Sequence, residues 1–256
     1  CASWGSQYGA GIGSCLATVT MLDSVVVSNS VTCNAWDGGA LGGGIGIREG
    51  SWLVRRSVVA INGADGNTRS FNYGAGMLID GGTHRFENLL LASNHCNKVG
   101  SQYMSAYVGD GAYILNGAQV SFENVTVADN QGHGIYSEWT GTYPPAACTV
   151  SNSIVWGNSV DVLGKNTSNQ PMQITYAVGA TGTVGVVWSA GQEAHPGTGN
   201  FVVDPLFAGG ADYHLRSKTG RWTPSGWVRD AVHSRCIDAG DRRLPVAGEE
   251  GPGELG

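Results

Sequence analysis

FENLLLASN at 86–94 and FENVTVADN at 122–130 are two copies of one pattern, and MLDSVVVSN (21–29), VRRSVVAIN (54–62) and VSNSIVWGN (150–158) repeat its shape. Each nine-residue segment ends on asparagine. Asn29, Asn62, Asn94, Asn130 and Asn158 follow one another at steps of 33, 32, 36 and 28 residues. A period in this range is the mark of a solenoid, in which one coil cannot bury its apolar face alone and stacking supplies the core. The spacing varies while the nine-residue unit does not, which places the insertions in loops outside the stacked strands.

The columns of the repeat select strands over helices. Position one is apolar in every copy (Met21, Val54, Phe86, Phe122, Val150), and position two is mostly polar (Leu22, Arg55, Glu87, Glu123, Ser151). That alternation suits residues pointing in and out of a sheet. Position six is again apolar (Val26, Val59, Leu91, Val127, Val155). An odd separation between two inward positions requires a bend between them. The third column (Asp23, Arg56, Asn88, Asn124, Asn152) is where a turn costs least. The segments are short, β-branched and without a 3.6-residue period, so a helix is a poor competitor.

A second set of columns supplies a preceding strand. Gly11-Ile12, Gly44-Ile45, Gly76-Met77, Gly111-Ala112 and Gly134-Ile135 each open a short run leading to a nine-mer. Glycine there is expected to serve a corner at positive φ. Ile45 and Ile47, Met77 and Ile79, and Ala112 and Ile114 would face inward. The five asparagines are expected to close the second strand, tolerating a left-handed turn and stacking into an amide ladder at about 4.8 Å per coil.

The nine-mer with its preceding G-[IM]-x-[IV] strand resembles the right-handed parallel β-helix repeat proteins of bacterial secretomes, relatives of the pectate-lyase-like superfamily. The repeats cover 9–158, and PGTGNFVVDPLF (196–207), ADYHLRSKTGRW (211–222) and CIDAGD (236–241) look like the terminal segment of such proteins. The resemblance implies an all-β, right-handed parallel β-helix of about five clear coils over 1–158. Terminal coils and a cap follow at 159–241. The Gly-, Pro- and Glu-rich residues 242–256 read as a disordered tail or a cut boundary. The group holds lyases, hydrolases and adhesins, so the resemblance bears on fold more than on activity.

Composition agrees. Glycine numbers 41 of 256 residues, charged residues make up 13% and the net charge is −6. No basic field exists to attract nucleic acid. No apolar run is long enough for a transmembrane helix. The chain starts without methionine or a basic and apolar leader, so a signal peptide is read as removed or left out. Cys1, Cys15, Cys33, Cys96, Cys148 and Cys236 show no zinc-ligand spacing. Cys1 and Cys33 stand at comparable places on adjacent coils, which makes them the candidate disulfide, while Cys148 is expected to be buried and inert. A lipid-modified Cys1 is the lesser alternative for that residue.

Chemistry has to sit on outward positions. Tyr113 and Tyr136 fall on adjacent coils and are expected to form an exposed amphipathic strip for a sugar ring. Asp80 and Glu138 lie two coils apart, about 9–10 Å at sheet spacing, near the upper end of the range for inverting glycosidase carboxylates. Arg48 stands one coil from Asp80. These three are the catalytic candidates if the chain is an enzyme. A solvated sheet face is the stronger explanation, since any polar face of five coils contains some pair of acids. Trp139 and Tyr143, in the longest insertion, are further ligand candidates. His84, His95 and His133 share no column, so no metal site is expected. Calcium enters only for a lyase, which needs clustered aspartates and a basic proton acceptor.

Trp188, Trp222 and Trp227 are expected to cover the last coil, whereas the first coil has no evident cap. That asymmetry favours an extracellular or cell-surface structural or adhesive β-helix. Its partners would be its own copies, end to end, or a surface polysaccharide. The alternative is a polysaccharide lyase or glycoside hydrolase working on the outer face.

Overall fold

In the computed structural model the chain is a parallel β-solenoid, described here for residues 7–33, 38–66, 71–98, 110–138, 143–158, 160–165, 171–173, 183–187, 189–191 and 198–241. Every regular element among the described residues is a strand. One sheet stacks the short glycine-led strands: Ile12–Cys15, Ile45–Arg48, Met77–Asp80, Ala112–Leu115, His133–Glu138 and Val160–Lys165 run parallel, and Pro171–Gln173 adds an antiparallel edge. A second sheet stacks the nine-mers, with Ser51–Ala60 and Thr83–Ala92 each running through two turns of register. Two smaller parallel sheets close the early coils, one from Ser30–Cys33, Gly63–Gly66 and His95–Lys98, the other from Gln7–Tyr8, Gly39–Leu41 and Phe71–Tyr73.

Strand register makes the columns physical. Met21 pairs with Val54, Val54 with Phe86, Phe86 with Phe122 and Phe122 with Val150. All five are buried, and the Phe86 and Phe122 rings stack at 5.0 Å. Val26, Val59, Leu91, Val127 and Val155 form the second inward column of the same core. Each such side chain contributes roughly 1.5–3 kcal/mol of burial. The bend between the columns falls at position three: Asp23, Arg56, Asn88, Asn124 and Asn152 all have φ between 47° and 54°. Side chains held at positive φ are uncommon outside Asn and Asp. Arg56 tolerates the place because its guanidinium grips Asp23 of the preceding coil through two 2.7 Å bonds.

A second corner is one residue earlier than the asparagines. Ser28, Ile61, Ser93, Asp129 and Gly157 carry the positive φ (57°, 58°, 54°, 52° and 73°). The asparagine that follows turns its side chain inward instead of making the turn. Asn62 Oδ1 accepts both the backbone N–H and the Nδ2–H of Asn29, at 3.0 and 3.1 Å. In the same way Asn94 Oδ1 accepts from Asn62, Asn130 Oδ1 from Asn94 and Asn158 Oδ1 from Asn130, at 2.9 to 3.1 Å. The remaining Nδ2–H of Asn62, Asn94, Asn130 and Asn158 reaches back to the carbonyl of Val26, Val59, Leu91 and Val127 on the coil before. Four of the five asparagines are buried, and the amides of Asn62, Asn94 and Asn130 use both donors and the acceptor.

The glycine column exists for that ladder. Gly11, Gly44, Gly76 and Gly111 are not at positive φ, which corrects their reading as corner residues. A methyl group on Gly76 would lie 2.5 Å from the Gly111 carbonyl and 2.8 Å from Asn94 Nδ2, and Gly44 meets Gly76 O and Asn62 Nδ2 at 2.6 and 2.8 Å. Close approach, not backbone freedom, fixes glycine here. The positive φ sits two residues earlier, at Gly9, Gly42 and Gly74.

The cysteine pairing also differs. Cys33 is a buried thiol, so the Cys1–Cys33 bridge is not formed. Cys15 is the disulfide-bonded residue, and its partner lies outside the described residues. Cys33 faces a small interior of its own with Val31, Ala40, Ala64, Ala75 and Cys96. Burial pushes the Cys148 thiol far up and keeps it protonated.

The C-terminal residues contact the side of the solenoid. Hairpins form from Phe207–Gly209 with Asp212–Leu215 and from Arg221–Thr223 with Gly226–Val228. The Tyr213 hydroxyl donates to Asp129 (3.1 Å) and pairs with Ser93 Oγ (2.9 Å), and the Asp241 N–H reaches Asn152 Oδ1 at 2.8 Å. These are corner residues of three successive coils. Trp222 and Trp227 are 59% and 61% exposed, so they do not cover the last coil. Trp188 and the tail 242–256 lie outside the described residues.

Two predictions follow from this core. Asn94→Ala leaves two buried donors of Asn62 without an acceptor and should cost about 3 kcal/mol, read as a lowered urea midpoint. Asn29→Ala removes only the half-exposed end rung and should cost about 1 kcal/mol. Equal losses would contradict the ladder.

His84 generates the second. It stands in register between Trp52 and Val120 inside the core, not at a strand edge, and is 2% exposed. Its Nε2 donates to Gly81 O at 2.7 Å and its Nδ1 has no partner. Burial lowers its affinity for a proton, with the Gly81 carbonyl and Glu49 opposing. The unfolded chain therefore takes up the proton first. His84 contributes nothing to the pH dependence of stability above its ordinary value of 6.5, and stability falls as the pH drops below it. Denaturant midpoints at pH 7.5 and 5.5 should differ in the native chain by more than in His84→Leu.

Candidate functional site

The outward column of the short-strand sheet reads Gly46, Leu78, Tyr113, Tyr136 in strict register. It is not an exposed strip. Tyr113 and Tyr136 are each 2% exposed and form a second apolar cluster with Leu41 and Leu78, against which Tyr8, Tyr73 and Leu115 pack. Tyr73 stacks on Tyr113 with ring centres 4.6 Å apart and planes 13° off parallel, and Tyr113 stacks on Tyr136 at 5.3 Å and 10°. Parallel in-register strands bring like residues to strand spacing, and rings of that size then meet face to face. The correction has a physical reason: a tyrosine from an adjoining strand covers the ring that strand alternation alone would leave in solvent.

A cleft of about 150 Å³ remains between Tyr8, Leu41, Tyr73, Leu78, Tyr113 and Leu115, with Gly39 and Asp80 completing its wall. It is small beside the cavities that enclose drug-sized ligands; its scale is that of one six-membered ring. Asp80 is its charged member. Arg48 is its direct register neighbour, with Nε 4.0 Å from Asp80 Oδ2, and Asn116 Nδ2 donates to Oδ1 at 2.7 Å. The Asp80 carboxylate is 14% exposed and the Arg48 side chain 41%. The structure thus joins Asp80, on the cleft wall, to Arg48 beside it.

Glu138 ends the strand two places further along the stack, its backbone opposite Lys165, and its side chain lies outside the described residues. Trp139 lies outside them too, and Tyr143 is 52% exposed. Sequence reasoning missed Tyr73 and Asn116. Tyr73 belongs to a short strand without a repeat column to flag it. Asn116 did carry a signal, because Asn116-Gly117 is a turn dipeptide and both residues adopt positive φ, 53° and 77°.

Several other carboxylates are tied up in structural contacts. Glu87, 2% exposed, sits between Arg55 and Arg85, and Arg85 continues to Glu123 at 3.0 Å. Asp110 is buried against Cys96, whose N–H donates to Oδ2 at 3.3 Å. Burial raises the proton affinity of Asp110 and, with Asp110 adding to it, of the Cys96 thiol. Among the described residues no three His, Cys, Asp or Glu side chains converge as a metal ion would need. Among the described residues the oxygens of Asp80 face Asn116 and Arg48. Among the same residues no helix is long and apolar enough to cross a membrane.

Comparison with known proteins adds one likeness. A family model described as "Disaggregatase related" matches residues 187–240, the C-terminal part that leans on the solenoid. No curated protein and no solved structure matches the chain.

Burial of the tyrosine stack separates packing from binding. Tyr113→Ala should destabilise the fold by about 3–5 kcal/mol, as for other large buried aromatics, and Tyr143→Ala should leave the urea midpoint unchanged within about 0.5 kcal/mol. A Tyr113→Ala protein of native stability would show that the ring is not part of the core.

Proposed function

We propose that the chain is a structural or adhesive β-solenoid acting outside the cell or at its surface, with its own copies or a surface polysaccharide as partner. The asparagine spine carries this reading. A run of saturated buried amides makes each coil the template for the next, and such a stack suits a stiff support for lateral contacts. The C-terminal match to the family described as "Disaggregatase related" fits a structural or adhesive protein. Leu22, Val25 and Val27, exposed apolar side chains on either side of the Asp23 corner, support contact with another molecule.

The second reading is a carbohydrate-active enzyme, and it has one specific support: Asp80, with Arg48 beside it, on the wall of a ring-sized cleft floored by Tyr73 and Tyr113. One experiment weighs both. The chain is incubated with a panel of acidic and neutral polysaccharides, and retention, reducing ends and unsaturated products are measured alongside particle size at rising concentration. The scaffold reading expects retention or concentration-dependent assembly without new reducing ends. Turnover that Asp80→Asn abolishes would overturn it in favour of the enzyme. A monomer that retains no polysaccharide would overturn both partner assignments.

A further inference from the structure

The hairpin of Arg221–Thr223 and Gly226–Val228 has two unlike faces. On one, Arg221 is clamped by Asp212 and Asp230 at 3.0 Å each. On the other, Trp222 stands directly opposite Trp227, with 59% and 61% of their surfaces in solvent. The Trp227 indole is not loose. It lies across Gly220, where an added methyl group would come 2.1 Å from Nε1. The ring is therefore held by its inner face and presents the outer one. Two open indoles, one of them held in place, are unusual on a chain whose aromatic stacks at Phe86–Phe122 and at Tyr113–Tyr136 are buried.

The stretch of sequence that carries the hairpin is basic. Between residues 213 and 235 stand Arg216, Lys218, Arg221, Arg229 and Arg235 against the single carboxylate of Asp230, in a chain of net charge −6. Lys218, Arg229 and Arg235 are exposed and form no ion pair among the described residues. Asp230 and Asp212 are both turned to Arg221, so the hairpin offers no spare anion.

We propose that this hairpin docks on an anionic lipid surface, the two indoles entering the headgroup layer and Lys218, Arg229 and Arg235 meeting its phosphates. Tryptophan favours that layer because its ring is apolar and its N–H polar, and each cation near such a surface adds attraction. A sugar chain is the poorer fit. Its hydroxyls need side chains that accept and donate beside the ring, yet Asp212 and Asp230 serve Arg221. Thr223 Oγ1 is bonded to Ser225 Oγ (3.1 Å) and to Gly226 O (2.8 Å). The inference goes beyond the scaffold reading and supplies a means of holding the solenoid at a surface.

Flotation of the full chain with lipid vesicles tests it; tryptophan fluorescence does not, since the chain has eight tryptophans. The native chain should float with vesicles of phosphatidylglycerol and phosphatidylcholine in about equal parts at ~0.1 M salt, and should stay behind at ~1 M salt or with phosphatidylcholine alone. Trp222→Ala with Trp227→Ala should lower partitioning about tenfold. Lys218→Glu and Arg229→Glu should each lower it by about fivefold or more. The two charge variants alter exposed side chains and keep the test valid if the tryptophan variant proves unstable. Failure of the native chain to float, binding to neutral vesicles as well, or full binding by the charge variants would overturn the proposal. Retention on an acidic polysaccharide gel without flotation would overturn it in favour of a glycan. None of these outcomes bears on self-association or on turnover, which test the scaffold reading separately.

Discussion

The amide ladder from Asn29 to Asn158 is the constraint on which the rest of this molecule depends. A buried carboxamide has two donors and one oxygen able to accept twice, and leaving any of these unmet in an apolar interior is costly. Stacked coils meet the whole requirement at once, because each Asn finds its partner one strand spacing away. The ladder then dictates what lies opposite. Gly44, Gly76 and Gly111 cannot carry a side chain, since the Asn amide and the next glycine's carbonyl fill the space where it would stand. Fold and composition are linked through this one contact.

The same ladder explains the corners. For the asparagine side chain to point inward, the chain must turn sharply just before it, and position eight takes the left-handed conformation in every copy. Ser28, Ser93 and Asp129 are small or polar residues for which this is mild. Ile61 is not, since a β-branched residue at positive φ is a true outlier, and its side chain is left 53% exposed. Its neighbour Asn62 is bonded on both sides, to Asn29 and to Asn94. The energy of the buried amide network outweighs the local preference of one isoleucine.

These details show which parts of the molecule were legible beforehand. The parallel solenoid was, because inward positions recur at fixed offsets and a period-two pattern broken once per nine residues admits few other folds. The purpose of the glycines was not. Positive φ and close approach both select glycine, and only the position of the neighbouring coil separates them. The candidate site was less legible for the same reason. Alternation correctly put Tyr113 and Tyr136 on the outer side of their strands, but whether a second layer covers that side depends on Tyr73, Leu41 and Tyr8, which come from strands too short to show a pattern. Asp80 and Arg48 were easier to place together, since parallel register converts equal repeat positions into contact. Cys33 failed for a further reason: equal spacing from a landmark does not fix the direction of a side chain, and Cys33 points into the small interior beside Cys96.

Charge follows the stacking rule as closely as the apolar residues do. Arg56 grips Asp23, Arg55 and Arg85 enclose Glu87, Arg85 continues to Glu123, and Arg48 stands over Asp80. All are contacts within a coil or between neighbouring coils. Like charges stacked at strand spacing would destabilise the sheet, and a solenoid of identical repeats would create them in every outward column. In one column Arg55 stands beside Glu87 and Glu87 beside Glu123; the two adjacent acids are offset by Arg85, which crosses from its own column to pair with both. The exposed pairs contribute little individually; their effect is to let outward columns carry charge at all without parting the strands. Charges outside the stack follow no such rule: at the C-terminal hairpin Lys218, Arg229 and Arg235 are exposed and form no ion pair among the described residues.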